Sequence, residues 1–420
     1  TIANIACDNN QLIMETMKKV ALRKGLVCLL HEKPFEGVNG SGKHNNWSLN
    51  IYNGPSLLDP GKTPADNAQF LLFLCAVIWA VDEYAELLRA SVTSPGNDHR
   101  LGGHEAPPPI ISVFLGDDLT DILEEIETGR PSQLRQGGNI EIGVNAIPWL
   151  PRDTSDRNRT SPFAFTGKKF EFRMLGSSMS IGTCNNALNA AVAEILCRIA
   201  DRLEKAEDRQ ACVRELIREI YRDHKRVVFN GNNYSREWVA EAKERGLPCA
   251  DNDVDAAAGL VCTKSIDLYE KHGIFRRKEL EARYNIRLET YVRTLDLEAR
   301  TMLDMAKRQI IPAVIGYTKY LADCVCAVQS TGLTVDMSIE SSALKDVAAA
   351  GAQLKTAVSK LEKALEKAAT IEDVPERAQA YRDKVGTAMA ALREVSDRLE
   401  MLVSKEYWPI PTYSDLLFQV

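Results

Sequence analysis

A chain of 420 residues with 45% hydrophobic and 26% charged residues has the length of two or three domains and apolar side chains enough for a large core. Its net charge of −6 excludes a general nucleic-acid or anionic-membrane binder, because neutralising phosphates needs a basic surface; small molecules are the expected ligands. Ten cysteines lack CxxC pairs and metal-type spacing, and several sit in apolar runs such as LVCLL around Cys28 and FLCAVIWAV around Cys75. They read as buried reduced thiols of a reducing compartment, the cytoplasm or an organelle stroma or matrix.

The chain starts at Thr1 without an initiator Met and enters an amphipathic helix from Asp8, which raises the expectation of a missing upstream part. From residue 1 to about 245, helical segments alternate with expected strands LVCLLHE (26–32), WSLNIY (47–52), NIEIGV (139–144) and KFEFRML (169–175), an α+β texture. The first notable motif is GVNGSGKH, residues 37–44. It fits the phosphate-loop pattern except at His44, where a magnesium-binding hydroxyl belongs, and NNWSLNIY continues as a strand where that loop needs a helix start. The phosphate-loop reading fails on both counts. What remains is a glycine-rich turn delivering His44 into a strand, as a packed histidine or as a metal ligand.

The apolar run Phe70–Val81 is too short to span a bilayer and is expected as a buried helix. A Gly- and Pro-rich loop follows, NDHRLGGHEAPP, with Arg100 and Glu105 five residues apart, a shape suited to a lid or to an ordinary surface loop. Further on stands RNRTSP with Arg159, then KKFEFR. In a strand Lys169, Glu171 and Arg173 share one face and Phe170 and Phe172 the other. One carboxylate between two cations suits a site for a metal and anions, or equally a solvent-facing ion-paired strand.

Past Asp253 the strand signals vanish. Residues 278–328 read as one helix broken or kinked at Pro312. Two further helices carry apolar stripes at Leu354, Val358, Leu361 and Leu365 and at Val385, Met389, Leu392, Leu399 and Leu402, separated by the turn TIEDVP. The stripes predict the core of an antiparallel helical bundle, with the charged run 355–367 as its solvated face. The texture divides the chain into residues 1–245 and 246–420.

In their order, NGSGKH, RLGGHEAP, NRT and KFEFR resemble glutamine synthetase. The large type III form is the most similar, through HEKPFEGVNGSGKHNNWSLN, FTGKKFEFRMLGSS, KRVVFNGNNYS and WPIPTYSDLLF, which together cover nearly the whole chain. The resemblance implies an antiparallel-sheet catalytic domain of the glutamine synthetase/guanidino-kinase kind, incomplete at its N-terminus and followed by an all-α bundle. It implies a glutamate–ammonia ligase that joins L-glutamate and ammonium with ATP through γ-glutamyl phosphate, using Mg²⁺ or Mn²⁺, in a homo-oligomer of stacked hexameric rings, with no nucleic-acid or membrane partner.

Carried over by position, His44 and Glu171 match metal ligands, and Asn39, Gly40, Arg100 and Arg173 match glutamate contacts. Asn46, Ser48 and Lys169 fall on the ATP side, Arg159 matches the arginine steadying the phosphoryl group, and Glu105 matches the flap carboxylate that takes a proton from ammonium. Two departures stand out. Asn46 sits where many members have a second histidine, and the Arg100–Glu105 interval is one residue shorter than the commonest form. The family's remaining metal-binding glutamates precede the start of this chain, so the chain is expected to be a fragment with an incomplete site and little activity of its own. The alternatives are a truncated, non-catalytic paralogue acting as a structural or regulatory subunit, and a ligase joining glutamate to a larger amine.

Overall fold

The computed structural model describes residues 3–35, 37–103, 106–130, 158–412 and 415, which form two compact units. The first comprises Thr1–Cys7 and Leu29–Tyr284, the second Asp8–Cys28 and Asn285–Val420. Helix α1 (Ala3–Arg23) is thus shared between them. The expected strand 139–144 lies outside the described residues.

In chain order the first unit holds β1 (Gly42–Trp47), α2 (Ala68–Glu83), α3 (Ala85–Ser91), α4 (Pro95–Arg100), β2 (Val113–Phe114) and α5 (Asp117–Thr128). Then come β3 (Phe163–Phe165), β4 (Phe170–Gly176), α6 (Gly182–Lys205), α7 (Arg209–His224), α8 (Arg236–Glu244), α9 (Asp253–Ala257) and α10 (Thr263–Lys271). The four strands form one sheet in the order β1-β4-β3-β2. β1, β4 and β3 are antiparallel as expected, and β2 joins β3 in parallel over two residues.

Alternation along the strands sorts the two faces. Trp47 pairs with Phe170 and Asn45 with Phe172, all buried against the helices; Asn45 Nδ2 donates to Asn185 Oδ1 at 2.8 Å and Trp47 Nε1 to Asn189 Oδ1 at 2.8 Å, both on α6. Phe163, Phe165 and Phe170 interlock by ring contacts, and Phe70 of α2 meets Phe165 at 5.8 Å. Helix α2 is apolar nearly all round because it packs against the sheet and against α6 and α7. This is the helix expected from Phe70–Val81, capped by Asn67, whose Oδ1 accepts from Phe70 N at 3.0 Å.

Two strand expectations are corrected. Residues 26–32 make no strand: Leu26, Val27 and Leu29 are exposed, and none of the described strands supplies the backbone partners that a strand requires. The second strand begins at Gly42 and ends at Trp47, upstream of WSLNIY, because the chain reverses around Asn53 (φ 54°) and Gly54, with Leu57 N donating to Leu49 O at 2.8 Å. The cysteines are all free thiols, but only Cys75 and Cys184 are buried.

The first unit runs to Tyr284, beyond the change in texture near residue 245. Leu247, Leu260, Ile266, Leu268, Tyr269 and Leu280 complete its core, so the loss of strand signal there marks a change of secondary structure within one unit. α10 is anchored at Glu194 of α6, 3% exposed, which takes Arg198 Nε, Lys271 Nζ and His272 Nε2 at 2.8 Å each. Burial raises the carboxyl's pKa, but the hydrogen bonds from Lys271, Arg198 and His272 outweigh it and bring it from 4.5 to about 2. A depressed acid contributes stability that is fully present above its unfolded value and is lost as pH falls through the folded one. Glu194→Gln is therefore expected to cost up to ~3 kcal/mol at pH 7 and to flatten the acid-unfolding profile between pH ~4.5 and ~2; urea titrations across that range check it.

The second unit is all-helical beyond Asn285. It contains most of α11 (Arg277–Met305), then α12 (Ile311–Ser330), α13 (Ser338–Ala369), α14 (Val374–Ala380) and α15 (Thr387–Leu402). A π-helical turn, Ala306–Ile310, joins α11 to α12 directly before Pro312. The proline has no N–H and its ring crowds the preceding turn, which the wider turn relieves. Leu354, Val358, Leu361 and Leu365 are buried, as are Val385, Leu392 and Leu399, where α13 packs on α12 and α15. Asp373 caps α14 through Glu376 N at 2.9 Å, with a proline at the helix start. Among the described residues, Arg277–Ser330 is the one helix long and apolar enough to cross a membrane by length and composition.

Candidate active site

The outward face of the sheet gathers the chemistry. Asn46 pairs with Glu171 across β1 and β4, and the register shifts between Lys43 and Asn45. Such a bulge re-aims the residue it carries, and here that residue is His44. Its imidazole, 53% exposed, lies with Nδ1 2.8 Å from Glu171 Oε1. Glu171 Oε2 in turn accepts Arg173 Nε at 3.1 Å and Nη2 at 2.7 Å. Burial raises the Glu171 pKa, but Arg173 and His44 outweigh it and hold it below the ordinary value of 4.5, so it stands ready as a carboxylate. Arg173 Nη1 continues the chain to Asn158 O at 2.6 Å and Ser161 O at 3.2 Å. This brings the turn bearing Arg159 to the same face. The Arg159 side chain is exposed and pairs with none of the described residues.

His44 Nδ1 and Glu171 Oε1 are close enough to reach one cation together. Among the described residues no cluster of three or more His, Cys, Asp or Glu could hold a metal. A nitrogen and a carboxylate oxygen suit a Mg²⁺- or Mn²⁺-type ion that takes its other positions from water and phosphate oxygens, so the donor pair fits part of one such site.

The two arginines expected to contact glutamate are both buried and held by hydrogen bonds within the first unit. Arg100, 4% exposed, donates through Nη1 to Asn97 Oδ1 and the carbonyls of Met174 and Leu175 at 3.1–3.3 Å, and through Nη2 to Arg173 O at 2.8 Å. It is a strut that fastens α4 to β4, helped by Asn97 Nδ2 on Val92 O and Met174 O. Burial lowers the guanidinium's pKa and the charge of Glu32 opposes this. Arg173, also 4% exposed, spends its fork on Glu171 and two carbonyls. In this geometry both hold the floor of the site through these bonds.

The glycine turn packs on that floor. A Cβ on Gly42 would stand 2.2 Å from Arg100 Nη2, and one on Gly40 2.8 Å from Glu32 O. Arg100 cannot yield without losing its backbone acceptors, so Gly42→Ala is expected to destabilise by about 1–3 kcal/mol, read as a lowered urea midpoint. Asn39 is exposed beside Gly40. Ser48 Oγ donates to Lys168 O at 2.8 Å, and Asn46 and Lys169 are exposed at the same edge. Lys169 precedes β4, in the β3–β4 turn. Glu105 lies outside the described residues.

Sequence reasoning missed Glu32. Only 4% exposed, it accepts Ser178 N at 3.0 Å and the Ser178 hydroxyl, and its carboxylate fills the space left by Gly96 and Gly176. The signal was a carboxylate ending an apolar run, LVCLLHE, where a buried charge must find donors.

The family model for the glutamine synthetase catalytic domain matches residues 2–109, and that for the glutamine synthetase C-terminal domain residues 212–329. The chain is 42% identical to a glutamine synthetase of Butyrivibrio fibrisolvens, over 100% of its own length and 60% of the relative's. It is 41% identical to a type-3 glutamine synthetase of Dictyostelium discoideum, over 99% and 58%, and 36% identical to a glutamine synthetase of Bacteroides fragilis, over 99% and 58%. It thus spans about three fifths of the length of these relatives. With a catalytic-domain match, a C-terminal-domain match and similarity along its whole length to a type-3 enzyme, the chain belongs to the glutamine synthetase family.

Proposed function

We propose that this chain supplies part of the active site of a glutamate–ammonia ligase, which forms L-glutamine from L-glutamate, ammonium and ATP through γ-glutamyl phosphate. The observation that carries the reading is the His44–Glu171 pair, an imidazole and a carboxylate 2.8 Å apart on the outward strand face, beside the turn that bears Arg159, whose side chain has no partner among the described residues. Bound there, a divalent cation would offset phosphate charge during in-line transfer. The residues of this chain hold and orient. His44 and Glu171 supply two donors, Arg173 fixes the carboxylate, and Arg159 offers a guanidinium to the phosphoryl oxygens. Asn46, Ser48 and Lys169 border the nucleotide side, and Asn39 with the Gly40 backbone faces glutamate. Glu105 is the proposed acceptor of the ammonium proton, and ammonia is favoured over a larger amine because a flap carboxylate suits a small cation. The working form is proposed to be a homo-oligomer in a reducing compartment.

The test is ATP turnover and glutamine formation by the full product of the gene. Both are expected to require glutamate and Mg²⁺ or Mn²⁺ and to be stimulated by ammonium. No ammonium-stimulated turnover would overturn the ligase and favour a non-catalytic subunit.

A further inference from the structure

The segment NGNNYS, residues 230–235, has no part in the reading above, yet it is hydrogen-bonded on two sides close to the site. On one side Asn230 Oδ1 accepts Leu115 N at 3.2 Å and Gly116 N at 3.1 Å, and its Nδ2 donates to Thr120 Oγ1 at 2.8 Å, tying the loop to the start of α5. On the other side it grips the turn that carries Arg159. Asn158 Nδ2 donates to Asn230 O at 3.0 Å and Gly231 O at 2.7 Å. Thr160 Oγ1 accepts Asn233 N at 2.9 Å and donates to Asn158 Oδ1 at 2.6 Å. Asn233 is wholly buried and accepts from the buried Ser112 hydroxyl at 2.7 Å, so the grip has a rigid base.

The turn itself needs holding. Asn158 has φ +21°, outside glycine one of two such residues described, and a side chain in that region is strained unless its surroundings fix it. Its amide is satisfied at both ends, its own carbonyl takes Arg173 Nη1 at 2.6 Å, and Tyr234 Oη donates to Arg159 O at 3.4 Å. These ties fall on backbone or on residues flanking Arg159, and its guanidinium has no partner among the described residues. A flexible side chain on a floating loop would lose much of its effect on a transition state, whereas one whose Cα is pinned loses little.

We propose that Thr160, Asn158 and Asn233 are positioning residues: a clasp through which the 230–234 loop locks the Arg159 turn and aims its guanidinium at the phosphoryl group being transferred. This rests on the ligase reading for its chemistry, but the clasp can be measured without it. Thr160→Val removes the central hydroxyl at nearly constant shape, and Thr160→Ser keeps it. In the full gene product, amide exchange at residues 160–161 should accelerate about tenfold or more in Thr160→Val, beyond what the lowered melting temperature of a protein that has lost the Asn233 N–H acceptor would give throughout the unit. kcat should fall about 10- to 100-fold while KM for glutamate and for ATP stays within about threefold, and Thr160→Ser should restore both exchange and kcat. Unchanged exchange in the valine variant overturns the clasp. So does faster exchange with kcat intact, or a serine variant as impaired as the valine one. A wild-type protein without turnover counts against the ligase reading instead, and the exchange comparison then decides the clasp alone.

Discussion

Glu171→Gln should reduce glutamine formation by about 100-fold or more, the scale expected when a charged metal ligand is neutralised. The same change should weaken Mn²⁺ binding measured by calorimetry. It should also cost ~1–3 kcal/mol of stability, because Arg173, 5% exposed on its side chain, would lose the charge its fork is built around. His44→Ala separates the two roles. The imidazole is half-exposed, so its loss should weaken metal binding comparably while leaving the urea midpoint nearly unmoved. A Glu171→Gln protein with wild-type Mn²⁺ affinity would show that the pair is an ordinary ion-paired strand surface.

The largest stability effect is expected at Asp253. Its carboxylate is 3% exposed and meets Arg89, 4% exposed, at 3.1 Å. It also accepts Ser94 N, while its own N–H donates to Asp98 Oδ1 at 2.6 Å. Burial first, then Asp98, push the Asp253 acid up, and Arg89 opposes them. The hydrogen bonds from Arg89 and Ser94 are those of a carboxylate. Asp253→Ala leaves Arg89 buried and unpaired, for which ~3–5 kcal/mol is the ordinary cost, a large share of a typical domain's 5–15 kcal/mol. The pair Arg89→Met with Asp253→Leu should recover most of it, since apolar replacement of both partners removes the stranded charge. Equilibrium unfolding of the three variants checks this, and a loss below about 1 kcal/mol in Asp253→Ala would contradict it. Because Asp253 belongs to α9 and Ser94 immediately precedes α4, this contact also joins the C-terminal part of the first unit to the helix that carries Arg100.

The local patterns were legible. The alternation in KFEFRML correctly sent Phe170 and Phe172 inward and Glu171 outward, and the stripes through Leu354, Leu361 and Leu365 found a buried helix face. The strand expected at 26–32 misled because an apolar run does not announce whether a partner edge exists. The extent of β1 misled because the Asn53-Gly-Pro reversal cut the downstream half while the bulge at His44 let pairing start earlier. The division near residue 245 followed secondary structure, whereas compactness follows side chains such as Leu260 and Tyr269 that complete a core begun far upstream.

By itself the sequence determined which residue types stand on which face of each strand and helix, since that follows from periods of 2 and 3.6 within a few residues. It also placed His44 and Glu171 as candidates for one site. Only the tertiary structure decided which acceptors surround the three arginines. Arg100, Arg173 and Arg159 carry the same guanidinium, yet the first bonds carbonyls of β4, the second bonds Glu171 and the Asn158 turn, and the third has no partner among the described residues. A donor's availability is set by which acceptors distant parts of the chain bring within about 3 Å, and that distance exists only once the sheet, α4 and the 230–234 loop have come together.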